Sequence, residues 1–402
     1  MSVHAATAIQ RGSSLNHGEI SLSDLDIQPV RNRRQRRDFL ELMYRLNAGR
    51  PLFVPPLRCE HRREMDPRRN PFYEHADAQL FVAYRANKPV GRIAAIENRS
   101  HNQHWNDRVG FFGHYEAIDD PDVSHRLFTA AEDWLRGRGL DRMRGPTNPS
   151  MNANVGFLID GFEHPPTIPM PYTQPFYPAH AEAYGLQPAI RVLVYGWNYS
   201  HYTPQYIDRW RRRIARLSQY VEQRVDIQVR GPRRDRVGED LQLIREICNE
   251  SLQHNWGFVP MTDGEMHAVR RELERIIDPD MFFLAEIDGR PEAVFIACPD
   301  YNELLALMNG RLFPFGWLSY LRHRRKIQKY VVYVYASTPR AEAMGAAAVL
   351  YRHYFDNCFR KGIMHCETSY VLETNALMRN SIENLGAQLR KRYQLYEKPI
   401  QP

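Results

Sequence analysis

The chain carries two copies of one pattern, and any fold proposed for it must accommodate both. Phe81-Val-Ala-Tyr-Arg-Ala-Asn-Lys-Pro-Val-Gly-Arg-Ile-Ala-Ala95 aligns without a gap to Phe283-Leu-Ala-Glu-Ile-Asp-Gly-Arg-Pro-Glu-Ala-Val-Phe-Ile-Ala297. Each reads as strand, tight turn and strand, with turn formers between apolar runs. Arg138-Gly139-Leu140 corresponds to Lys361-Gly362-Ile363 at the end of each copy's main helix. Glu182, Gly185, Gln187, Arg191 and Tyr195 then correspond to Glu383, Gly386, Gln388, Arg392 and Tyr396. Correspondences kept in one order and separated by roughly 200 residues imply a duplicated domain.

Composition bounds the class. The 402 residues suffice for two ordinary domains, and the apolar (43%) and charged (25%) fractions are those of a globular protein. No stretch approaches the roughly 20 apolar residues of a membrane span. Residues 1–25 are polar, without a signal-peptide pattern, and read as a disordered tail on a cytoplasmic protein. The copies are then assigned to 26–200 and 231–402, joined by a helix over 201–230. Cys59, Cys248, Cys298, Cys358 and Cys366 show no paired spacing and read as reduced core residues, and no zinc spacing suggests a metal. A net charge of +7 suits anionic partners such as cofactor phosphates, an acidic carrier protein, a membrane surface or RNA.

The C-terminal copy holds the clearest chemical signal. Tyr330-Val-Val-Tyr-Val-Tyr335 reads as a buried strand, Ala336-Ser337-Thr338-Pro339 as a turn, and Arg340 onward as a helix running to Arg360. Small residues at Ala343, Gly345, Ala346, Ala347 and Ala348 leave the first helical N–H groups approachable by a phosphate. The spacing Arg340-x-x-Ala343-x-Gly345 resembles the Q/R-x-x-G-x-G/A signature of the GCN5-related N-acetyltransferase (GNAT) superfamily, whose loop cradles the pyrophosphate of coenzyme A. The following turn Lys361-Gly362, strand Met364 to Val371, Asn375, Gly386 and closing strand through Tyr393 and Tyr396 resemble the last half of a GNAT domain. The resemblance implies an α/β (α+β) fold of two tandem GNAT-like domains, each a mixed central sheet flanked by helices. It also implies acyl-CoA as co-substrate, with Arg340, Ala343, Met344, Gly345, Ala346 and Asn375 around it.

The copies differ chemically. In the first, the strand Arg108 to Glu116 leads into Ala117-Ile118-Asp119-Asp120-Pro121-Asp122, whose carboxylates suit a helix cap but repel a pyrophosphate. Its distinctive segment is instead Gly145-Pro-Thr-Asn148-Pro-Ser-Met-Asn152, continuing to Met170-Pro171-Tyr172 and Phe176-Tyr177. Amides and aromatic tips on a proline-stiffened loop make Asn148, Asn152, Tyr172 and Tyr177 candidate substrate contacts, with a rigid packing loop as the alternative. In the second copy an insertion over 304–329 joins Leu312-Phe-Pro-Phe-Gly-Trp-Leu318 to a basic run, the pattern of a peripheral contact with the inner membrane, an acyl-chain lid or a plain helical hairpin.

Taken whole, the chain after its tail resembles one bacterial GNAT-like family of this length, on Val54-Pro-Pro-Leu57, Asn70-Pro-Phe-Tyr-Glu-His-Ala76, Gly91-Arg-Ile-Ala-Ala-Ile96 and Val371-Leu-Glu-Thr-Asn375. That resemblance extends to N-acyltransferases of long-chain sphingoid bases. Acyl transfer to an amine requires removal of a proton from nitrogen and delivery of one to sulfur. Glu367 and His365 alternate on one strand face beside the expected thioester channel, and Glu367 is favoured as base. The tyrosine that many GNAT enzymes use as acid falls at Ile382, which leaves Tyr370, a water, or no chemistry. A tRNA-dependent aminoacyl transferase and a non-catalytic acyl-CoA sensor are the other two readings. The arginines from Arg209 to Arg216, beside an apolar stripe, favour a packed bridging helix over a nucleic-acid arm.

Overall fold

In the computed structural model, which describes residues 25–233 and 235–401, one sheet runs through the whole molecule. The tail expected over 1–25 lies outside the described residues except for Leu25, which opens the first strand.

The N-terminal half begins with β1 (Leu25–Pro29), α1 (Arg33–Leu46) and α2 (Arg58–Glu64). The hairpin β2 (Ala76–Arg85) and β3 (Lys88–Asn98) follows, then α3 (Arg99–Trp105), β4 (Val109–Ala117), α4 (Pro121–Arg136) and β5 (Arg142–Gly145). Short strands β6 (Thr147–Asn148), β7 (Asn154–Val155) and β8 (Phe157–Asp160) lead to α5 (Tyr177–Ala183) and the long β9 (Gln187–Asn198). The linking helix is α6 (Pro204–Glu222).

The C-terminal half repeats the plan. It runs β10 (Ile227–Arg230), α7 (Val237–Leu252), α8 (Asp263–Ile276) and the hairpin β11 (Phe282–Ile287) and β12 (Arg290–Pro299). The insertion forms α9 (Asn302–Met308) and α10 (Gly316–His323). Then come β13 (Lys329–Ser337), α11 (Pro339–Ala343), α12 (Ala346–Lys361), β14 (His365–Thr368), β15 (Val371–Leu372), α13 (Ala376–Asn384) and β16 (Gln388–Pro399).

The repeat is physical as well as textual. Both hairpins turn through two residues with positive φ, Ala86 and Asn87 in one and Asp288 and Gly289 in the other, the geometry that matches strand twist. Both are bulged at the same place, after Ala83 and after Ala285, opposite Pro89 and Pro291. A proline has no N–H for the ladder, so the register slips there in both copies.

The closing strands are exchanged. The strand order β1-β2-β3-β4-β5-β16-β9-β14-β13-β12-β11-β10 places β16 beside β5 of the first half and β9 beside β14 of the second. Tyr396 pairs with Gly145, and Glu367 pairs with Gly196. Tyr195 on β9 donates to Glu383 at 2.7 Å, while Tyr396 on β16 donates to Glu182 at 3.0 Å, so each strand is anchored to the opposite half. One core lies between α12 and the second half's sheet, another under α4, and a third, including Met151, Val194 and Tyr393, sits on the shared face.

The helix over 201–230 is shorter than that range, and its buried Trp210, Ile214 and Ser218 lie along α12. Trp210 meets Phe355 edge-on at 4.4 Å, and Arg352 pairs with Glu222 at 3.0 Å. Of the cysteines, Cys59 is exposed on α2 and the other four are buried. Among the described residues no helix is long and apolar enough to cross a membrane.

Candidate functional site

Strands β13 and β14 run parallel from Lys329 and His365 to Val332 and Thr368, then separate. Ser369 still donates from its backbone to Val332, and its hydroxyl to the Tyr333 carbonyl at 3.3 Å. Beyond that vertex Tyr333, Val334 and Tyr335 are half-buried, whereas Val331 and Val332 are buried. A cleft therefore opens between β13 and β15. From it β13 leads on into α11 and α12.

The same divergence occurs in the first half, after Phe111 on β4 and Arg144 on β5, but there the chain closes it. Thr147 passes so near that a Cβ on Gly113 would lie 1.6 Å from its carbonyl oxygen, and Asn148 Oδ1 accepts from His114 N at 2.5 Å. Asn148 thus fills the cleft of its own half.

The helix starts differ in charge. The start of α4 is capped by Asp120, has Asp122 in its first turn, and is bound to Arg85 at 2.7 Å. The start of α12 has neither a side-chain cap nor an acid in its first turn. The expected continuous helix from Arg340 to Arg360 is interrupted: α11 is a separate turn capped by Thr338, and Gly345 adopts φ of +78° before α12 begins. The break lets the chain leave one helix axis and start another, at the position where a left-handed residue costs least as glycine.

Around that break, Ala343 and Met344 are exposed, Gly345 is half-buried and Ala346 is buried in the core. A Cβ on Gly345 would come within 3.1 Å of Val221 at the end of α6. Arg340 turns back to Glu292 at 3.0 Å and to Asp288, so its charge is already matched. Asn375 caps α13, its Oδ1 accepting from Met378 N at 3.0 Å.

Glu367 points away from α12 into a buried ionic cluster. Lys329 reaches its Oε1 at 2.9 Å, Lys391 its Oε2 at 2.8 Å, and the Thr167 hydroxyl the same oxygen at 3.0 Å. Burial raises the Glu367 carboxyl, but the two lysines outweigh it and hold it below the usual carboxylate range. Burial lowers Lys391 despite Glu367. Asp300, 3.8 Å from Lys329 and bound to Asn302 N at 3.2 Å, is pushed by burial up to about 6. His365 is lowered by burial and by Lys329.

The remaining candidates divide. Tyr370 donates to the Met151 carbonyl at 2.6 Å and is pushed by burial up to about 12. Asn152 donates to the Val259 carbonyl at 2.8 Å, and Tyr172 packs against the same cluster as Met151, Trp256 and Tyr370. Trp105 and His75 add contacts to Phe258 and Glu265. The first half thus braces the α7–α8 connection that walls the cleft. Tyr177 lies elsewhere, in the core of the first half, bonded to Glu116 at 2.9 Å.

The sequence is 36% identical over 382 residues to Protein YghO of Escherichia coli K12, across 92% of this chain and 94% of that one. It is 32% identical over 392 residues to a protein named bacterial ceramide synthase of Caulobacter vibrioides, across 94% and 98%. This chain belongs to their family. No family model matches it. Among solved structures, a tandem GNAT protein from the clavulanic acid biosynthesis pathway superposes with a TM-score of 0.53 at 10% identity, covering 94% of this chain and 99% of its own. A fungal glucosamine N-acetyltransferase region gives 0.55 at 14% identity, over 93% of this chain and 38% of that one. The fold of this family member is the tandem GNAT fold.

Within that fold the main helix of the second half, unlike that of the first, starts without a carboxylate in its first turn. Around its uncapped start Ala343 is exposed, Gly345 and Ala347 are half-buried and Ala346 is fully buried, so the small residues lie next to solvent without all being open to it. Among the described residues no group of three or more His, Cys, Asp or Glu side chains is placed to hold a metal.

Lys391, Asp300 and Thr167 had no distinguishing mark in sequence. Lys391 sits between Arg390 and Arg392 and reads as part of a charged, solvated strand; the pairing of β16 with β9 and β8 buries it and brings it to Glu367.

Proposed function

We propose that this protein is an N-acyltransferase whose C-terminal half moves an acyl group from acyl-CoA to the amine of a long-chain, sphingoid-type base. The observation that carries this reading is the contrast between the two clefts: the first is plugged by Thr147 and Asn148 and capped by carboxylates, while in the second the strands separate after Val332 and Thr368 and the first turn of α12 has no acid, Glu342 on α11 standing ahead of it. The name of the Caulobacter relative supports the amine class.

The amine nitrogen attacks the thioester carbonyl, a C–N bond forms, the C–S bond breaks, and one proton passes from nitrogen to sulfur. Products are an amide and a free thiol. An alkylammonium titrates near about 10.4 in water, so its proton must be removed first. Two lysines hold Glu367 below the usual carboxylate range, and burial and Lys329 lower His365 on the same strand; these two are the candidate acceptors of that proton. Tyr370, its hydroxyl committed to Met151, positions the loop of the first half against the cleft.

Calorimetric titration with coenzyme A, acetyl-CoA and palmitoyl-CoA, followed by thiol release with sphinganine, tests this. Palmitoyl-CoA binding with amine-dependent thiol release is expected. Binding of no thioester would overturn the reading, and binding without thiol release would leave a sensor.

A further inference from the structure

Among the described residues the surface of α9 and α10 exposes more large apolar side chains than any other; α6 exposes three, Tyr206, Leu217 and Tyr220, set among arginines. Phe313 and Phe315 are each 73% exposed, and Leu307, Trp317, Leu318 and Leu321 are exposed beside them. Half of the exposed large apolar side chains among the described residues therefore fall within one short insertion. Isolated exposed apolar residues are ordinary, but a contiguous set is not.

The patch is held in shape rather than left to collapse. Leu304, Met308 and Ile327 are buried beneath it with Leu57 and Leu312 packed alongside. Arg58 N donates to the Gly310 carbonyl at 3.1 Å, which ties the insertion to the first half. At the tip, Trp317 Nε1 donates to the Pro314 carbonyl at 2.8 Å. The apolar side chains are presented outward by a fixed scaffold.

Charge selects the occupant. From Leu304 to Lys329 the chain contains no Asp or Glu, and Arg311, Arg322, Arg324 and Lys326 have no carboxylate partner among the described residues. A protein partner would need matched carboxylates around an apolar pocket; an anionic bilayer offers both an apolar interior and a charged rim without specific matching.

We propose that the α9–α10 insertion seats the protein on an anionic lipid bilayer, with Phe313, Phe315 and Trp317 entering the interface and Arg322, Arg324 and Lys326 lying against lipid phosphates. The insertion is rooted at the Lys329 end of β13, and the start of α12 lies past the other end of that strand, about 30 Å away. A bilayer held there leaves the acyl-CoA headgroup in water and brings an amphiphilic amine to the opposite side. This role for the surface rests on the acyltransferase reading; the seating itself does not.

The test is co-sedimentation of the full chain with vesicles of phosphatidylcholine alone or mixed with phosphatidylglycerol. The expected result is binding to the mixed vesicles that weakens with salt and falls about a hundredfold in Phe313→Ser/Phe315→Ser, with an unchanged thermal midpoint because both side chains are exposed. Arg322→Glu/Arg324→Glu should lose the preference for phosphatidylglycerol. Equal sedimentation of wild type and F313S/F315S overturns the proposal. So does a concentration-dependent dimer abolished by F313S/F315S without any vesicle binding, which would assign the patch to a second copy. So does loss of palmitoyl-CoA affinity in that variant with vesicle binding intact, which would make the insertion a lid. Vesicle binding without thiol release would sink the acyltransfer reading and leave the seat standing; thiol release with detergent-dispersed sphinganine but no vesicle binding would do the reverse.

Discussion

Lys391 Nζ lies 2.8 Å from Glu367 Oε2, a buried ion pair between a strand that closes the first half's sheet and a strand at the centre of the second. Glu367 keeps Lys329 at 2.9 Å when Lys391 is removed, whereas both lysines lose their carboxylate when Glu367 is removed. Lys391→Met should therefore cost about 1–3 kcal/mol, Glu367→Met about 3–5 kcal/mol because it leaves two lysines without it, and Lys391→Met/Glu367→Met less than Glu367→Met alone. Urea denaturation of the three variants measures these costs; a single variant as stable as wild type would show the pair to be solvated.

Asp300 gives the cluster a pH dependence. Its carboxyl binds a proton more tightly in the folded chain, at about 6, than in the unfolded chain, near about 4. Its contribution is therefore fully present below the unfolded value and is lost as pH rises through about 6. Wild type should lose up to about 3 kcal/mol relative to Asp300→Asn between pH about 4 and about 7. The acid-side loss from Glu367 is common to both proteins and cancels in the difference. Parallel stability curves would contradict the raised value.

Ala343 is exposed just ahead of the uncapped helix start. Ala343→Glu should weaken palmitoyl-CoA binding about fivefold, through repulsion of the phosphates, with little change in thermal midpoint. This substitution reads charge more cleanly than one at Gly345, where positive φ and the nearness of Val221 would add strain. Unchanged affinity would move the pyrophosphate elsewhere.

Ile382 stands where many related folds carry an acidic tyrosine, but its side chain is buried between α13 and the core with Tyr351 and Tyr354. Ile382→Tyr should cost about 1–3 kcal/mol by overpacking and should not raise thiol release. A gain in rate would show that the position opens onto the cleft.

The paired anchors Tyr195–Glu383 and Tyr396–Glu182 should each be worth about 1 kcal/mol, measured as Tyr195→Phe and Tyr396→Phe in urea. They occupy opposite ends of the exchange, so the double variant should equal the sum of the single ones.

The duplication was legible because hairpins obey local rules: turn residues and alternation fixed β2–β3 and β11–β12 within a few residues. The strand, turn and helix from Tyr330 to Arg360 were legible for the same reason, although the break at Gly345 was not, since Arg340 to Ala343 suits a helix whether or not it continues. What remained hidden depends on contacts far apart in the chain. Gln187 to Asn198 and Gln388 to Pro399 each read as the last strand of their own copy, and nothing in either pattern names its neighbour. The burial of Lys391, the plug formed by Asn148 and the core position of Tyr177 all follow from that unreadable pairing or from loop paths set by it.

The exchange of β9 and β16 makes this chain equivalent to a strand-swapped dimer whose two subunits have been joined end to end. Severed within the 199–203 connection, each fragment would own a strand that completes only the other's sheet and would present an unpaired edge where its missing strand belongs. Such pieces have a reason to recombine and little reason to stand alone. A lineage that began with one copy would have had to pair with itself before it could afford to become a single polypeptide.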